Sequence, residues 1–142
     1  MTLVQHLLAA KATGIISIQP DASVLDAIKL MADKGISSVL VVEDGKLAGI
    51  LTERDYARKV IIKGRASDTT PVRDIMTAEV ITATSQQTVN QCMAMMTAKK
   101  CRHLPVVDDG ELVGLISIGD LVNAIISSQQ EEIEQLEQYI AG

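Results

Sequence analysis

The chain is poor in aromatic residues: it has no tryptophan or phenylalanine, and its 142 residues include two tyrosines, Tyr56 and Tyr139. Proteins that bind single-stranded nucleic acid stack the bases on aromatic side chains, and this chain has almost none to offer. The net charge of −5 also disfavours a general attraction to a phosphate backbone. We therefore expect no nucleic-acid partner, and a planar ligand would have to lie between aliphatic side chains.

Two cysteines and two histidines leave little material for metal or redox chemistry. Cys92 and Cys101 are too few and wrongly spaced for a zinc knuckle or a Cys-x-x-Cys pair, so we expect both to be plain buried thiols. The sequence suggests no Ser-His-Asp or Cys-His arrangement and contains no Walker-type glycine loop. We expect no metal site and no enzymatic activity, with a nucleotide hydrolase as the remote catalytic alternative.

Long apolar runs are also missing, since no stretch approaches the 18 or so residues that a membrane span needs. Residues 1–8 lack a basic leader and a small-residue cleavage site, which argues against export. With 47% hydrophobic and 22% charged residues, the composition is typical of a well-packed globular protein. The sequence therefore predicts a cytoplasmic protein without a membrane partner.

The chain does contain an internal repeat. Residues 45–55 (GKLAGILTERD) return as residues 110–120 (GELVGLISIGD) at an offset of 65, with no gap. The same offset places Val24 on Val89 and Met31 on Met96. A repeat of this length outranks any single motif. Because each half of about 60 residues would be marginally stable alone, we expect two copies of one unit that share a core.

Each copy is predicted to fold in the order β-α-β-β-α. In copy one, the sequence predicts a short strand over 15–18, a helix capped near Ser23 and ended at Gly35, strands over 38–43 and 46–51 around an Asp44-Gly45 turn, and a helix from Thr52 to about Lys63. The predicted boundaries are an N-terminal helix in 1–12, copy one in 13–63, a linker in 64–71, copy two in 72–127 and a C-terminal helix in 128–142.

The predicted C-terminal helix has an apolar face without an obvious partner in its own copy. Ile133, Leu136 and Ile140 share that face, among several glutamates. The sequence leaves two packing partners open, a second subunit or the N-terminal helix.

A hydroxyl residue and an aspartate three positions later close each copy, as Thr52 with Asp55 and Ser117 with Asp120. The simplest interpretation is structural, with the hydroxyl capping a helix and the carboxylate in its first turn. A helix start also attracts phosphate, and a carboxylate can accept hydrogen bonds from ribose hydroxyls. Arg54, Arg58, Lys59 and Lys63 crowd copy one, whereas copy two has Gly119, Asn123 and Ala124 in place of the first three.

This order of elements with its Gly-h-h-Thr/Ser-x-x-Asp ending (h is hydrophobic), twice in tandem, resembles a pair of CBS domains, also called a Bateman module, over residues 12–127. Residues 52–60 (TERDYARKV), 74–77 (DIMT) and 102–106 (RHLPV) look like those of small stand-alone bacterial members. The resemblance implies an α/β (α+β) fold in which two pseudo-symmetric β-α-β-β-α repeats pack sheet to sheet, with additional helices at both termini.

The resemblance also implies a regulatory module that binds an adenosine ligand, AMP, ATP or NAD(H), in clefts between the repeats. No catalytic cofactor is implied. Ligand binding would change the conformation and signal to an effector protein, and such modules commonly form homodimers. A protein-interaction or dimerisation module without a ligand is the main alternative.

By the same resemblance, Asp55 and Asp120 would hold ribose hydroxyls, and Thr52 and Ser117 would contact phosphate or ribose. Arg54 and Arg58 would make copy one the preferred side for a phosphate-rich ligand, unless Arg102 compensates in copy two. Met76 and Thr77 would border the second pocket, and His103 is either a base contact or an ordinary buried imidazole. The remaining residues expected around the base are Ile15, Ile16, Ser37, Ser38, Val39, Val80, Ile81, Leu104 and Pro105.

Overall fold

A computed structural model of the chain describes residues 2–11 and 14–141 and shows a mixed α/β fold with two small sheets, as predicted. Its α-helices are α1 (Val4–Ala10), α2 (Val24–Lys34), α3 (Glu53–Tyr56), α4 (Val89–Lys99) and α5 (Ile118–Ala141). Its strands are β1 (Ser17–Ile18), β2 (Ser38–Glu43), β3 (Lys46–Thr52), β4 (His103–Asp108) and β5 (Glu111–Ser117). Among these described helices, none combines the length and apolar content needed to cross a bilayer.

The two sheets have the strand orders β1-β2-β3 and β4-β5. β1 runs parallel to β2, and β2 pairs antiparallel with β3 through the predicted Asp44-Gly45 turn. Both turn residues have positive φ, 52° and 77°, and the equivalent Asp109-Gly110 turn repeats this geometry. Such a backbone suits a two-residue hairpin, for which Asp-Gly is a favoured sequence.

The described residues divide into two compact units. The first unit comprises residues 14–81 and 109–113, and its core consists of Val24, Ala27, Met31, Val39, Val41, Leu51, Val60, Val72 and Ile75. The second unit comprises residues 2–11, 82–108 and 114–141. Its buried residues include Val4, Val89, Cys92, Met96, Leu104, Val106, Ile116 and Leu121. Thus α1 belongs with copy two.

The segment predicted as a linker is hydrogen-bonded to the first unit. The backbone N–H of Val24 donates to the Thr70 carbonyl oxygen at 2.9 Å, and that of Leu25 donates to Ser67 at 2.9 Å. These bonds satisfy N–H groups that the start of α2 would otherwise leave unpaired. Ser23 caps the same helix by accepting from the Asp26 N–H, and Gly35 ends it in the left-handed conformation, both as predicted.

The helix predicted to run from Thr52 to Lys63 is not one regular α-helix. After α3 it widens to π-helical geometry over Ala57–Ile61, where the Ile62 N–H bonds the Ala57 carbonyl oxygen five residues back. Val60, Ile61 and Ile62 are consecutive β-branched residues, and such side chains crowd the preceding turn of an α-helix.

Copy two lacks the opening strand predicted at Val80 and Ile81. A single residue, Ala83, pairs with Val106 in parallel, donating to the Pro105 carbonyl oxygen and accepting from the Val107 N–H. In copy one the hydrogen bonding between β1 and β2 extends further, because the Leu40 N–H donates to the Ile16 carbonyl oxygen at 3.4 Å. Pro105 occupies the position of Leu40 in the repeat and has no N–H, so the ladder stops at Ala83.

α5 is one continuous helix of 24 residues, where the sequence predicted a separate C-terminal helix from residue 128. Every residue from Ile126 to Ala141 is exposed, including Leu136 at 62% and Ile140 at 82%. Packing of this apolar face on the N-terminal helix, one of the two expected arrangements, is therefore not what the described residues show.

Candidate functional site

The Thr52–Asp55 pair of copy one forms a reciprocal capping box. The Asp55 N–H donates to Thr52 Oγ1 at 3.1 Å, while Asp55 Oδ2 accepts from the Thr52 N–H at 3.0 Å and from its hydroxyl at 3.1 Å. This is the structural role that the spacing predicted. Asp55 is 8% exposed, so its carboxylate depends on these hydrogen bonds for the solvation that water does not supply.

The second oxygen of Asp55 is also engaged. Its Oδ1 lies 3.1 Å from Lys59 Nζ and accepts from the Thr77 hydroxyl at 3.3 Å. Thr77 is held there by two backbone hydrogen bonds with Ile50, of 2.9 and 3.0 Å. The sequence prediction assigned Thr77 to the second pocket, whereas the structure pairs it with the first motif. Both carboxylate oxygens of Asp55 therefore have partners from the same unit.

The Ser117–Asp120 pair of copy two repeats the capping box with a different cation. Asp120 Oδ2 accepts from the Ser117 N–H at 2.8 Å, and the Asp120 N–H donates to Ser117 Oγ at 3.2 Å. Lys11, which follows α1, lies with its Nζ 2.9 Å from the same Oδ2 and 2.8 Å from the Leu115 carbonyl oxygen. Within the described residues, Asp120 Oδ1 has no hydrogen-bond partner.

The charges around Asp120 shift two pKa values. Burial alone would raise the pKa of Asp120, but hydrogen bonds from Lys11 and Ser117, together with the Lys11 charge, bring the pKa below its usual value. Burial lowers the pKa of His103, and the positive charge of Lys11 lowers it further. These shifts favour the ionised form of the Asp120 carboxylate and the neutral form of the His103 imidazole.

An equivalent hydrogen bond in each copy brings another predicted segment to the motif. The Glu53 N–H donates to the Ser37 carbonyl oxygen at 3.1 Å, and the Ile118 N–H donates to the Arg102 carbonyl oxygen at 2.9 Å. These positions match at the offset of 65. The residues that enter β2 and β4 thus lie beside the start of α3 and α5.

The other predicted site residues differ in how accessible they are. Val39 and Leu104 are wholly buried and Ser38 and Pro105 nearly so, which leaves the first two side chains as core residues. Arg54, Arg58 and Ile15 are exposed, and no hydrogen bond or ion pair joins either arginine to another described residue. Met76, Val80 and Ile81 are half-buried and belong to the first unit with Ile16.

A cavity of about 360 Å³, lined by both polar and apolar side chains, adjoins Asp120 in the second unit. It lies between α1 and α5, and its lining includes Lys11, Asp120, His6, Asn123, Ser127 and Ser128. No sequence pattern pointed to Lys11, because it precedes the first copy and its counterpart at the offset of 65 is the apolar Met76. The sequence places Lys59 in a basic cluster but does not predict that it pairs with Asp55.

The cysteines are free thiols in different environments. Cys92 is wholly buried, and burial raises the pKa of its thiol, as expected for a plain core residue. Cys101 is half-buried, so the prediction that both are buried is wrong for this residue. No cluster of three or more His, Cys, Asp or Glu side chains suited to a metal ion occurs in the part of the chain that the structure describes.

Comparison with known families shows which protein family has this repeated motif. Residues 11–62 and 72–127 each match the family model described as "CBS domain". The chain belongs to the CBS-domain family. Its two CBS domains stand in tandem, so the resemblance seen in the sequence is confirmed. CBS-domain pairs are regulatory modules, and the mixed α/β fold agrees with this family.

Similar proteins extend this finding. The chain is 44% identical over 127 residues to the mitochondrial CBS domain-containing protein CBSX3 of Arabidopsis thaliana, covering 86% of this chain and 62% of that relative's own length. A CBS-domain protein of Burkholderia ambifaria MC40-6 has 50% identity and a TM-score of 0.86, with 90% and 96% of the two chains covered.

A third comparison is with a structure that contains ligands. The CBS domain pair of protein MJ0100, solved in complex with 5'-methylthioadenosine and S-adenosyl-L-methionine, is 28% identical to this chain, with a TM-score of 0.80. The match covers 90% of this chain and 98% of that one. Both of those ligands contain adenosine.

Proposed function

We propose that this CBS-domain protein is a regulatory sensor of an adenosine ligand, AMP, ATP or NAD(H), without catalysis of its own. The carboxylates of Asp55 and Asp120 accept hydrogen bonds from ribose hydroxyls, and Thr52 and Ser117 lie beside them to contact ribose or phosphate. The observation that carries the proposal is the acceptor atom Oδ1 of Asp120, which has no partner among the described residues and belongs to a side chain lining a cavity.

The fold neighbour solved with two adenosine compounds supports this ligand class. Adenosine offers a ribose diol, whose two hydroxyls suit a carboxylate acceptor. The chain has almost no aromatic surface on which a base could stack, so aliphatic residues such as Ile15 and Ile16 would contact the base. Ser37 and Arg102 would approach the ligand through their backbone, since each lies beside a motif by a backbone hydrogen bond.

Ligand binding at Asp55 requires a local rearrangement. A ribose hydroxyl that takes Oδ1 displaces Lys59 or Thr77, which hold that atom now. Lys59 also donates to the Ile75 carbonyl oxygen, and Thr77 follows in the same segment. Binding would therefore change how residues 75–77 are held. Such a change transmits a signal if the ligand prefers one of the two arrangements.

The two motifs are therefore proposed to be unequal. Arg54 and Arg58 give copy one the greater positive charge, and we keep the proposal that a phosphate-rich ligand prefers it. Copy two has the accessible acceptor oxygen, so it accepts a ribose without displacing a contact. The alternative of a ligand-free interaction module is favoured by one observation, the saturation of Asp55 by its own unit.

We further propose that the protein is a cytoplasmic homodimer that passes its signal to an effector protein. The exposed apolar face of α5, with Leu136 and Ile140, is the surface offered for self-association. In proteins most of a helix's stability comes from packing of its apolar face, so packing on a second copy would stabilise this exposed part of α5.

A thermal-shift series tests the proposed function. The wild-type protein is melted with millimolar AMP, ATP, NAD, NADH or S-adenosylmethionine, with GTP and ribose as controls. A ligand at 100 times its dissociation constant adds about 2.7 kcal/mol of stability, which raises the melting temperature by several degrees. The proposal predicts such a rise for at least one adenosine compound. Equal melting temperatures with all of them would refute it.

A further inference from the structure

The cation that contacts Asp120 in copy two is Lys11, which precedes both copies of the repeat. Lys11 follows the last residue of α1, and its ammonium group contacts Asp120 Oδ2 and the Leu115 carbonyl oxygen at 2.9 and 2.8 Å. These two contacts use two of the three N–H donors of the ammonium group. The side chains of Lys11 and Asp120 are 30% and 25% exposed, so a ligand can reach both.

The position of Lys11 is fixed by the way α1 packs on the second unit. The backbone N–H groups of Val4 and Gln5 donate to the carbonyl oxygens of Gln87 and Ser85, both at 2.9 Å. Val4 is also wholly buried. The N–H of Lys11 itself bonds back to the last turn of α1. Because the start of α1 is bonded to residues 85 and 87 and Lys11 continues from its last turn, Lys11 reaches Asp120 from a defined direction.

Copy two lacks the cations that copy one carries on its own motif helix. At the offset of 65, Gly119 stands for Arg54, Asn123 for Arg58 and Ala124 for Lys59. Lys11 therefore supplies to Asp120 the ammonium group that Lys59 supplies to Asp55. The contacted oxygens differ: Lys59 contacts Asp55 Oδ1, whereas Lys11 contacts Asp120 Oδ2 and leaves Oδ1 available.

The cavity of about 360 Å³ between α1 and α5 is lined by Lys11 and Asp120 together. The rest of its lining includes the carboxylate residue Glu131, the polar residues Asn123, Ser127 and Ser128, and the apolar residues Leu7, Ala10 and Ala124. A ribose hydroxyl can be accepted by Oδ1 while the third N–H of Lys11 donates to a phosphate oxygen a few ångströms away. The cavity offers hydroxyl and amide groups to the rest of the ligand. The Lys11 ammonium group, the Asp120 carboxylate and a cavity large enough for part of a ligand therefore lie together in the second unit.

We propose that Lys11 binds a ligand phosphate at the Asp120 motif, and that it makes copy two selective for phosphorylated over unphosphorylated adenosine compounds. This inference rests on the proposed function, because it concerns the same ligand. It assigns to the segment before the first repeat a direct part in ligand selection.

The test compares AMP with adenosine, which differ by one phosphate. Binding constants are measured by isothermal titration calorimetry in an Asp55→Asn background, which weakens copy one. The variants are Lys11→Met, Lys11→Arg, which keeps the charge, and Lys99→Met as the matched control, since Lys99 is an exposed lysine of the same unit. If Lys11→Met fails to fold, Lys11→Gln replaces it.

Loss of one charge-assisted hydrogen bond lowers affinity by about tenfold to a hundredfold. We expect this loss for AMP in Lys11→Met, with adenosine binding changed by less than about threefold. Lys11→Arg and Lys99→Met should keep the preference for AMP. An unchanged ratio of the two affinities in Lys11→Met would overturn the role of Lys11 and leave the proposed function standing. Absence of binding of both compounds to the wild-type protein would overturn both.

Discussion

Lys59 Nζ lies 3.1 Å from Oδ1 of Asp55, one helical turn earlier in the chain. With the Thr52 capping contacts and the Thr77 hydroxyl, it completes the hydrogen bonding of a nearly buried carboxylate. Asp120 Oδ2 accepts from one lysine and one capping N–H, and its Oδ1 has no hydrogen-bond partner among the residues that the structure describes. The two aspartates occupy the same place in the repeat, but both carboxylate oxygens of Asp55 have described partners, whereas for Asp120 one oxygen has them.

This difference predicts unequal costs for removing the two carboxylates. Asp55→Ala removes a nearly buried carboxylate that accepts hydrogen bonds from Thr52 and Thr77 and pairs with Lys59, so we expect it to lower the free energy of unfolding by about 2–3 kcal/mol. Asp120→Ala removes a cap and a part-exposed ion pair, for which about 1 kcal/mol is expected. Urea unfolding of both variants measures this, with the exposed Asp33→Ala as control. Equal costs would contradict the contacts described for Asp55.

Two glycines at the same place in the repeat predict a second asymmetry. A Cβ on Gly49 would lie 2.7 Å from the Thr77 carbonyl oxygen, whereas a Cβ on Gly114 would lie 2.6 Å from the end of the Leu8 side chain. A side-chain terminus can rotate away, but the Thr77 backbone is fixed by its pairing with Ile50.

We therefore expect Gly49→Ala to cost about 1–3 kcal/mol of stability and Gly114→Ala clearly less. Gly14→Ala is the matched control, because a Cβ there meets no atom within 4 Å. Thermal unfolding of the three variants ranks their losses of stability. A Gly114→Ala variant as unstable as Gly49→Ala would show that Leu8 cannot move.

The lowered pKa of His103 predicts a loss of stability in mild acid. Burial and the charge of Lys11 hold the pKa of His103 below its ordinary value of 6.5, with Asp120 opposing the shift. The unfolded chain takes up a proton near pH 6.5, whereas the folded chain does so at lower pH. The free energy of unfolding therefore falls as the pH drops through 6.5 toward the folded pKa. Urea unfolding at several pH values measures this dependence. In His103→Gln the free energy of unfolding should fall less steeply as the pH drops. An equally steep fall in the variant would show that another group causes the loss of stability.

The exposed face of α5 predicts a concentration-dependent assembly. Replacing Ile133 and Leu136 by serine removes apolar side chains that are already exposed in the single chain, so it should not destabilise the fold of one subunit. We expect the wild-type protein to sediment as a dimer and the double variant to shift toward the monomer in analytical ultracentrifugation. Gln130→Ser, a polar exchange on the same helix, should have no such effect. A dimer that survives the double variant would place the interface elsewhere.

The repeat and most of its element order were predictable because both depend on local patterns. The Asp-Gly turns, the Ser23 cap and Gly35 each act through neighbouring residues, and the structure has them where the sequence predicted them. The capping geometry of Thr52 and Asp55 was predictable for the same reason, since three residues separate the two groups.

Features that depend on distant contacts were not predictable. Lys11 and Asp120 are 109 positions apart, and no pattern in the repeat relates them. The missing second opening strand follows from one proline on a neighbouring strand, which matters only once that strand is known to pair there. The burial of Val39 and Leu104 likewise follows from packing, so their assignment to a ligand pocket relied on family resemblance.

Isothermal titration calorimetry of the wild-type protein and of a folded Asp55→Asn/Asp120→Asn variant tests the central claim most directly. AMP, ATP, NAD and S-adenosylmethionine are titrated under one buffer condition, with circular dichroism confirming that both proteins are folded. The account predicts saturable binding of at least one adenosine compound to the wild-type protein, and affinity at least about tenfold lower in the variant. No binding of any of these compounds at millimolar concentration, or equal affinity in the variant, would contradict it.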